Sequence, residues 1–268
     1  GPQDEFRVAA SNEVDSVSLL RAEQRLLETQ QRINRLDPQP DSLFVLGDLV
    51  NQGVLTLSDS LGGDLKIAGS FTQNGTFSPN QRALFLQGDA AQTLSASAPL
   101  NLPYLIIDNT SPTESVSLTS ATTVTGKLTL SDGDLQTGGL LTLASGALLT
   151  AVEGTTVTGD ATFQREITGS AGWRLLSFPV AGGTAADLAD DTAVQGIAGG
   201  ANPGFAPNVL TYAAAGQFAA PGSMNETIST GFALYFFNNT DAGSTPLPLT
   251  LDVTGTPVFT EQTAPLNT

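Results

Sequence analysis

Two short stretches decide how this chain folds. "LGDLVNQGVLTL" runs from Leu46 to Leu57 and "AGSFTQNGTFSP" from Ala68 to Pro79. A slide of 22 residues lays Gly47 on Gly69 and Gly53 on Gly75. The same slide lays Leu49 on Phe71, Leu55 on Phe77 and, just upstream, Val45 on Ile67, and brings Asn51-Gln52 onto Gln73-Asn74. Glycines, alternate apolar residues and amides that coincide at one offset are what successive turns of a β-solenoid require, because each turn rests on the last at about 4.8 Å and repeats its environments. The expectation is that glycines mark corners with positive φ and that stacked Asn and Gln form amide ladders. A second echo, "TVTGKLTL" at 123–130 and "TVTGDATF" at 156–163, superimposes Gly126 on Gly159 at a different offset, so the turns are expected to vary in length.

Around these stretches the period is two. "SLFVLGDL", "GVLTLS", "DLKIAGSF", "ALFLQGD", "PYLIIDN", "ESVSLTS", "TVTGKLTLS" and "LLTLAS" read as short strands, mostly separated by Gly, Asn, Asp or Pro. Apolar residues face one side and Thr, Ser and charge the other. A sandwich or jelly roll has the same texture, but the repeat favours the solenoid for residues 41–166.

The flanks differ. Residues 11–37, "SNEVDSVSLLRAEQRLLETQQRINRLD", lack Gly and Pro. Leu19, Ala22, Leu26, Ile33 and Leu36 occupy heptad a and d positions, with Thr29 a weak d. This predicts an amphipathic helix over 11–36, ended by Pro38 and Pro40. It serves either as a cap on the open end of the solenoid or as a short coiled coil that makes a homo-oligomer. Gly1-Pro2 reads as a scar of tag cleavage, and a signal peptide is expected upstream in the full-length protein. From about Arg165 the alternation coarsens and aromatic residues gather. "GWRLLSFPV" carries the only Trp, an Ala/Gly/Asp-rich stretch follows with one helical turn near Thr184–Ala189, and then come "NVLTYAAAGQF", "TGFALYFFN", "LPLTLDV" and "TPVFT". The organisation is therefore read as 1–40, scar and helix; 41–166, β-solenoid; 167–268, a sandwich-like β module. The fold class is all-β, a parallel β-solenoid with an N-terminal amphipathic helix and a C-terminal β-sandwich-like module.

Composition narrows the function. Hydrophobic residues make up 40% of 268, enough for a large core, and charged residues only 13%. The net charge of -16 disfavours nucleic acid, whose phosphates need Lys and Arg, and an anionic membrane surface. After Arg174 there is no Lys or Arg. The longest strongly apolar run, Gly231 to Phe237, is too short to span a bilayer. The absence of His and Cys removes Ser-His-Asp and Cys-His catalysis and the usual zinc sites. No Gly-rich stretch has a phosphate-loop or dinucleotide pattern. No catalytic residue and no cofactor is expected. The carboxylate pairs that could suit glycoside hydrolysis are Asp132 with Asp134 and Asp190 with Asp191. Asp132 and Asp134 lie in "LSDGDLQTGG", where Asp-Gly is ordinary turn chemistry. They are weak Ca²⁺ candidates, because such a site takes six to eight oxygens. Asp190 and Asp191 read as solvated loop.

The aromatic residues offer another chemistry. Trp173, Tyr212 and Tyr235 are candidates for a ligand platform on which a surface glycan could stack, although aromatic residues at strand spacing are more often core. Phe232, Leu234 and Phe236 should face one way and Ala233, Tyr235 and Phe237 the other, as in a buried central strand.

Two stretches carry a resemblance. "YLIIDNTSPTESVSLTSATTVTGKLTLSDGDLQTGGLLTLAS" (104–145) is similar to the repeat region of large bacterial cell-surface proteins exported by the type IX secretion system. So is "GWRLLSFPVAGGTAADL" with "NVLTYAAAGQF" and "GFALYFF" (within 172–237), with its Trp-Arg-Leu-Leu-Ser-x-Pro signature. The resemblance covers about half the chain. It implies a β-helix-like region followed by a module near a C-terminal sorting domain, an extracellular or cell-surface location, and no reaction. The sorting domain is missing here, and the helix at 11–36 is not part of the pattern. The resulting expectation is a non-enzymatic exported bacterial surface protein with a structural or adhesive role and a glycan or protein ligand. The alternatives are a carbohydrate-binding or, with less support, carbohydrate-cleaving module, and a self-assembling fibre or envelope component joined through 11–36.

Overall fold

The structure, a computed structural model, describes residues 42–111, 116–213, 217–229, 231–239 and 244–258. The predicted helix at 11–36 lies outside them. The described chain forms two compact units. The first runs to Leu141 and takes back Ala147–Thr158; the second holds Thr142–Gly146 and everything from Gly159.

The first unit is a parallel β-solenoid of about five laps. The first lap consists of Leu43–Val45, Leu49–Asn51 and Val54–Thr56; the second repeats them as Leu65–Ile67, Phe71–Gln73 and Thr76–Ser78. All three pairs are parallel and share one register: Leu43 on Leu65, Leu49 on Phe71, Val54 on Thr76. The 22-residue slide is thus the physical step from the first lap to the second. Later laps add Ala83–Leu86, Leu100–Asp108, Thr122–Asp132 and Leu148–Ala151 to the first sheet. They add Gln92–Ala96, Val116–Leu118, Leu135–Gln136 and Val157–Thr158 to the second. Among the described residues the third sheet has two strands.

Stacking puts like on like. Leu65, Leu84, Leu105 and Leu128 form one inward column, and Ile67, Leu86, Ile107 and Leu130 the next; each of the eight is at most 1% exposed. Each buried aliphatic side chain contributes about 1.5–3 kcal/mol of transfer free energy. The outward column includes Phe44, Lys66 and Phe85, where the Lys66 ammonium sits 4.9 Å from the centroid of each ring.

Polar columns form inside as well. Asn51 Nδ2 donates to Gln73 Oε1 at 2.7 Å, and Asn109 Nδ2 to Gln92 Oε1 at 2.8 Å, all four residues being buried. The expected amide ladders are therefore present, but as two-residue segments. At the corners, acids tie one lap to the next: the Asp48, Asp64 and Asp134 carboxylates accept the backbone N–H of Ser70, Ala83 and Thr156.

Two expectations need correction. Gly47, Gly53, Gly69 and Gly75 are not among the positive-φ glycines. Gly69 and Gly75 are required by proximity: a Cβ on Gly69 would lie closer than 3.0 Å to Gly47 C and Asp48 N, and one on Gly75 would meet Gly53 O. The echo at 123–130 and 156–163 is not a stacking register either. Lys127–Leu130 pairs with Leu148–Ala151, whereas Val157 pairs with Leu135. The same letters do different jobs. Gly126 lies in a bulge opposite Pro103, which has no N–H for a ladder bond, while Gly159 turns the chain at φ 89.

The second unit is antiparallel. Ala161–Ile167 pairs antiparallel with Leu249–Gly255. Gly172–Leu176, Phe232–Phe236, Val209–Ala213 and Gln217–Ala219 form a four-stranded sheet in that order. Phe232, Leu234, Phe236 and Val209 bury one face of it in a core shared with Leu249, Leu251 and Val253. The helical turn appears as a 3₁₀ helix, Ala185–Leu188, with the Asp187 carboxylate accepting both the N–H and the hydroxyl of Thr184.

Candidate functional site: an open aromatic face

Alternation along the four-stranded sheet sends Phe232, Leu234 and Phe236 inward and leaves Ala233 and Tyr235 on the other face. Register then assigns their neighbours. Trp173 lies opposite Tyr235, Leu175 and Leu210 flank Ala233, and Tyr212 lies opposite Phe218. The three residues singled out in the sequence thus share one sheet face. Trp173 and Tyr235 meet edge to face at 5.4 Å, Tyr235 and Phe237 at 5.1 Å, and Tyr212 and Phe218 at 5.9 Å.

This face is open to water. Leu175 is 78% exposed, Phe218 51% and Trp173 47%, and Tyr212 is also exposed. A soluble sheet ordinarily turns Thr, Ser and charge to solvent; here rings and aliphatic side chains take those positions, the mark of a contact surface. Arg174, the last cation of the chain, donates to the carbonyls of Trp173, Thr168 and Ser170 and so pins the preceding loop. Leu175 and Leu210 were missed at the sequence level. Alternation from Trp173 would have found Leu175; Leu210 needed the strand register.

The carboxylates are placed differently. Asp132 accepts the N–H of Gly133, and Asp134 that of Thr156 on the next lap, so both act in corners. Among the described residues no group of three or more acids, His or Cys is arranged to hold a metal. Asp191 is half-buried and accepts the N–H of Asp252 at 2.6 Å. Burial raises its pKa above the ordinary value; the Asp252 and Asp190 charges add to this and the Asp252 N–H opposes it. Asp190 itself is exposed.

Comparison with protein-family profiles, curated proteins and solved structures finds no match. The class of molecule rests on its geometry: a β-solenoid with an antiparallel β unit that carries an open aromatic face.

Proposed function

We propose that the chain is a non-enzymatic, exported bacterial surface protein with a structural or adhesive role, in which the solenoid is a stiff element and the aromatic face of the second unit is the contact surface. The observation that carries this reading is the set of exposed rings, Trp173, Tyr212 and Phe218, on one face of one sheet. Stacked parallel laps resist bending because every lap is hydrogen-bonded to its neighbours, as a spacer requires. The resemblance to surface proteins of the type IX secretion system supports the location. In this reading the second unit packs as a sandwich. A signal peptide and a sorting domain in the flanking sequence of the full-length protein would support export.

A second reading, carbohydrate binding at the same face, is favoured by the Trp173–Tyr235 ring pair, since the C–H face of a sugar packs on aromatic rings. Both readings meet in one experiment. The protein is applied to an array of glycans and to a panel of immobilised matrix proteins, with Trp173→Ala and Tyr235→Ala alongside. Binding weakened about tenfold or more by each substitution, equivalent to about 1.4 kcal/mol, is expected. Retention on glycans selects the second reading and retention on proteins the first. Binding indifferent to both substitutions removes the face from the function.

A further inference from the structure

The third sheet of the solenoid ends after two laps, and this leaves a gap. In the third lap only Ser97–Pro99 separates Ala96 from Leu100, too few residues to build a strand over Thr76–Ser78. Leu100–Leu102 pairs with Thr122–Val124 on one side, while pairing with the preceding lap starts only at Tyr104. Between the two uncovered edges lies a groove of about 500 Å³. That is within the ~300–1,000 Å³ of small-molecule sites.

Its walls carry unspent hydrogen bonds. The Thr76 N–H donates to Gly53 O at 2.7 Å and the Leu57 N–H to Ser78 O at 2.9 Å. That ladder phase turns the N–H and C=O of Phe77 to the free edge. On the opposite wall the Leu100 N–H donates to Ala121 O at 2.9 Å, which turns the N–H and C=O of Asn101 toward the gap. Gln73 adds a side chain. It is only 5% exposed yet lines the groove, and one end of its amide is taken by Asn51. The register places Ala96, not another amide, on Gln73, so the ladder stops there and the Nε2 end of the amide has no partner among the described residues. That Nε2 is not shut away from solvent, so it stands open to the groove as a hydrogen-bond donor.

The rim is strained. Asn80 and Gln81, adjacent and neither a glycine, have φ of 46° and 61°. The Asn80 side chain holds the turn by donating to Leu57 O at 2.7 Å. Two successive left-handed residues of this kind hold a strained backbone, and such strain gathers at binding sites. Charge decides the ligand class. In a chain with 26 acidic residues and 10 basic ones, none of either kind lines the groove. Carboxamides and hydroxyls surround an apolar floor of Phe77, Pro79, Pro99 and Pro103.

We propose that this groove binds a short segment of neutral glycan, its hydroxyls meeting Gln73, Asn101 and the free main chain of Phe77, and its C–H face resting on the Phe77 ring. An extended peptide is disfavoured, because each edge offers one N–H and C=O pair rather than a ladder. The site belongs to the first unit and does not depend on the aromatic face.

The test is calorimetric titration of the full chain with neutral tetrasaccharides (gluco-, xylo- and manno-configured) and with oligogalacturonate, for the wild type, Asn101→Ala, Phe77→Ala and Trp173→Ala. At least one neutral tetrasaccharide binds, about tenfold more weakly to Asn101→Ala and to Phe77→Ala and unchanged to Trp173→Ala. Asn101 is exposed, so its substitution spares the fold and keeps the test decisive even where Phe77→Ala unfolds the lap. Four results overturn the proposal: no neutral tetrasaccharide binds at millimolar concentration, oligogalacturonate binds better, an unstructured control peptide displaces the sugar more effectively than free sugar does, or only Trp173→Ala affects binding. The last of these leaves the aromatic-face reading standing.

Discussion

Gly69 shows what a solenoid asks of single residues. Its backbone passes so close to Gly47 and Asp48 that a methyl group has no room, and its N–H donates to Gly47 O at 3.1 Å. The atoms in the way are mainly backbone, which cannot rotate aside. Gly69→Ala is therefore expected to lower stability by about 1–3 kcal/mol. Gly204→Ala, with nothing within 4 Å, should stay within about 0.5 kcal/mol. Urea titration of the two variants checks this, and equal midpoints would show that lap contact does not select glycine. The glycine pattern was legible in the sequence, but its cause was not. Positive φ and close approach both favour Gly, and only the position of the neighbouring lap separates them.

At the scale of elements, single groups join strands and loops. Asp191 ties the loop after the 3₁₀ helix to the strand Leu249–Gly255 through the Asp252 N–H. Its pKa in the folded chain lies above the ordinary 3.8, first through burial. A raised acid favours the folded state while protonated; that contribution is present below the unfolded pKa and lost as pH rises through the folded one. Asp191→Asn keeps an oxygen for the Asp252 N–H and removes the charge. The Tm of the variant relative to wild type should therefore climb as pH goes from about 3 to about 7. Melting curves across that range would contradict this if the difference fell with pH. In the four-stranded sheet, two-residue alternation predicted correctly that Phe232, Leu234 and Phe236 share a face. It could not say that the opposite face would stay open, because that depends on which elements cover the sheet.

For the molecule as a whole, charge is the term that sequence alone sets. A net charge of -16 on 268 residues makes the folded chain repel itself. Raising monovalent salt from about 10 mM to about 150 mM shortens the screening length from about 30 Å to about 8 Å. The Tm should rise by a few degrees, and a fall would mean that attractive pairs dominate. Asp48, Asp64 and Asp134 accept backbone N–H groups, and these short contacts are screened by salt far less than the long-range repulsion.

The sequence by itself determined the lap of the first unit. The first two laps put residue i beside residue i+22, so the environment of Leu43 is the environment of Leu65, and the repetition is written where it can be read. The tertiary structure decided where repetition stops. The third sheet ends because the third lap closes its corner in three residues, and the "TVTG" echo fails as a register because one copy lies in a bulged strand and the other spans a turn. The open aromatic face and the unpaired edges at Phe77 and Asn101 were settled the same way. Local alternation says which side of a strand is apolar. Only the lengths of distant corners and the placement of other strands say which side, and which edge, meets water.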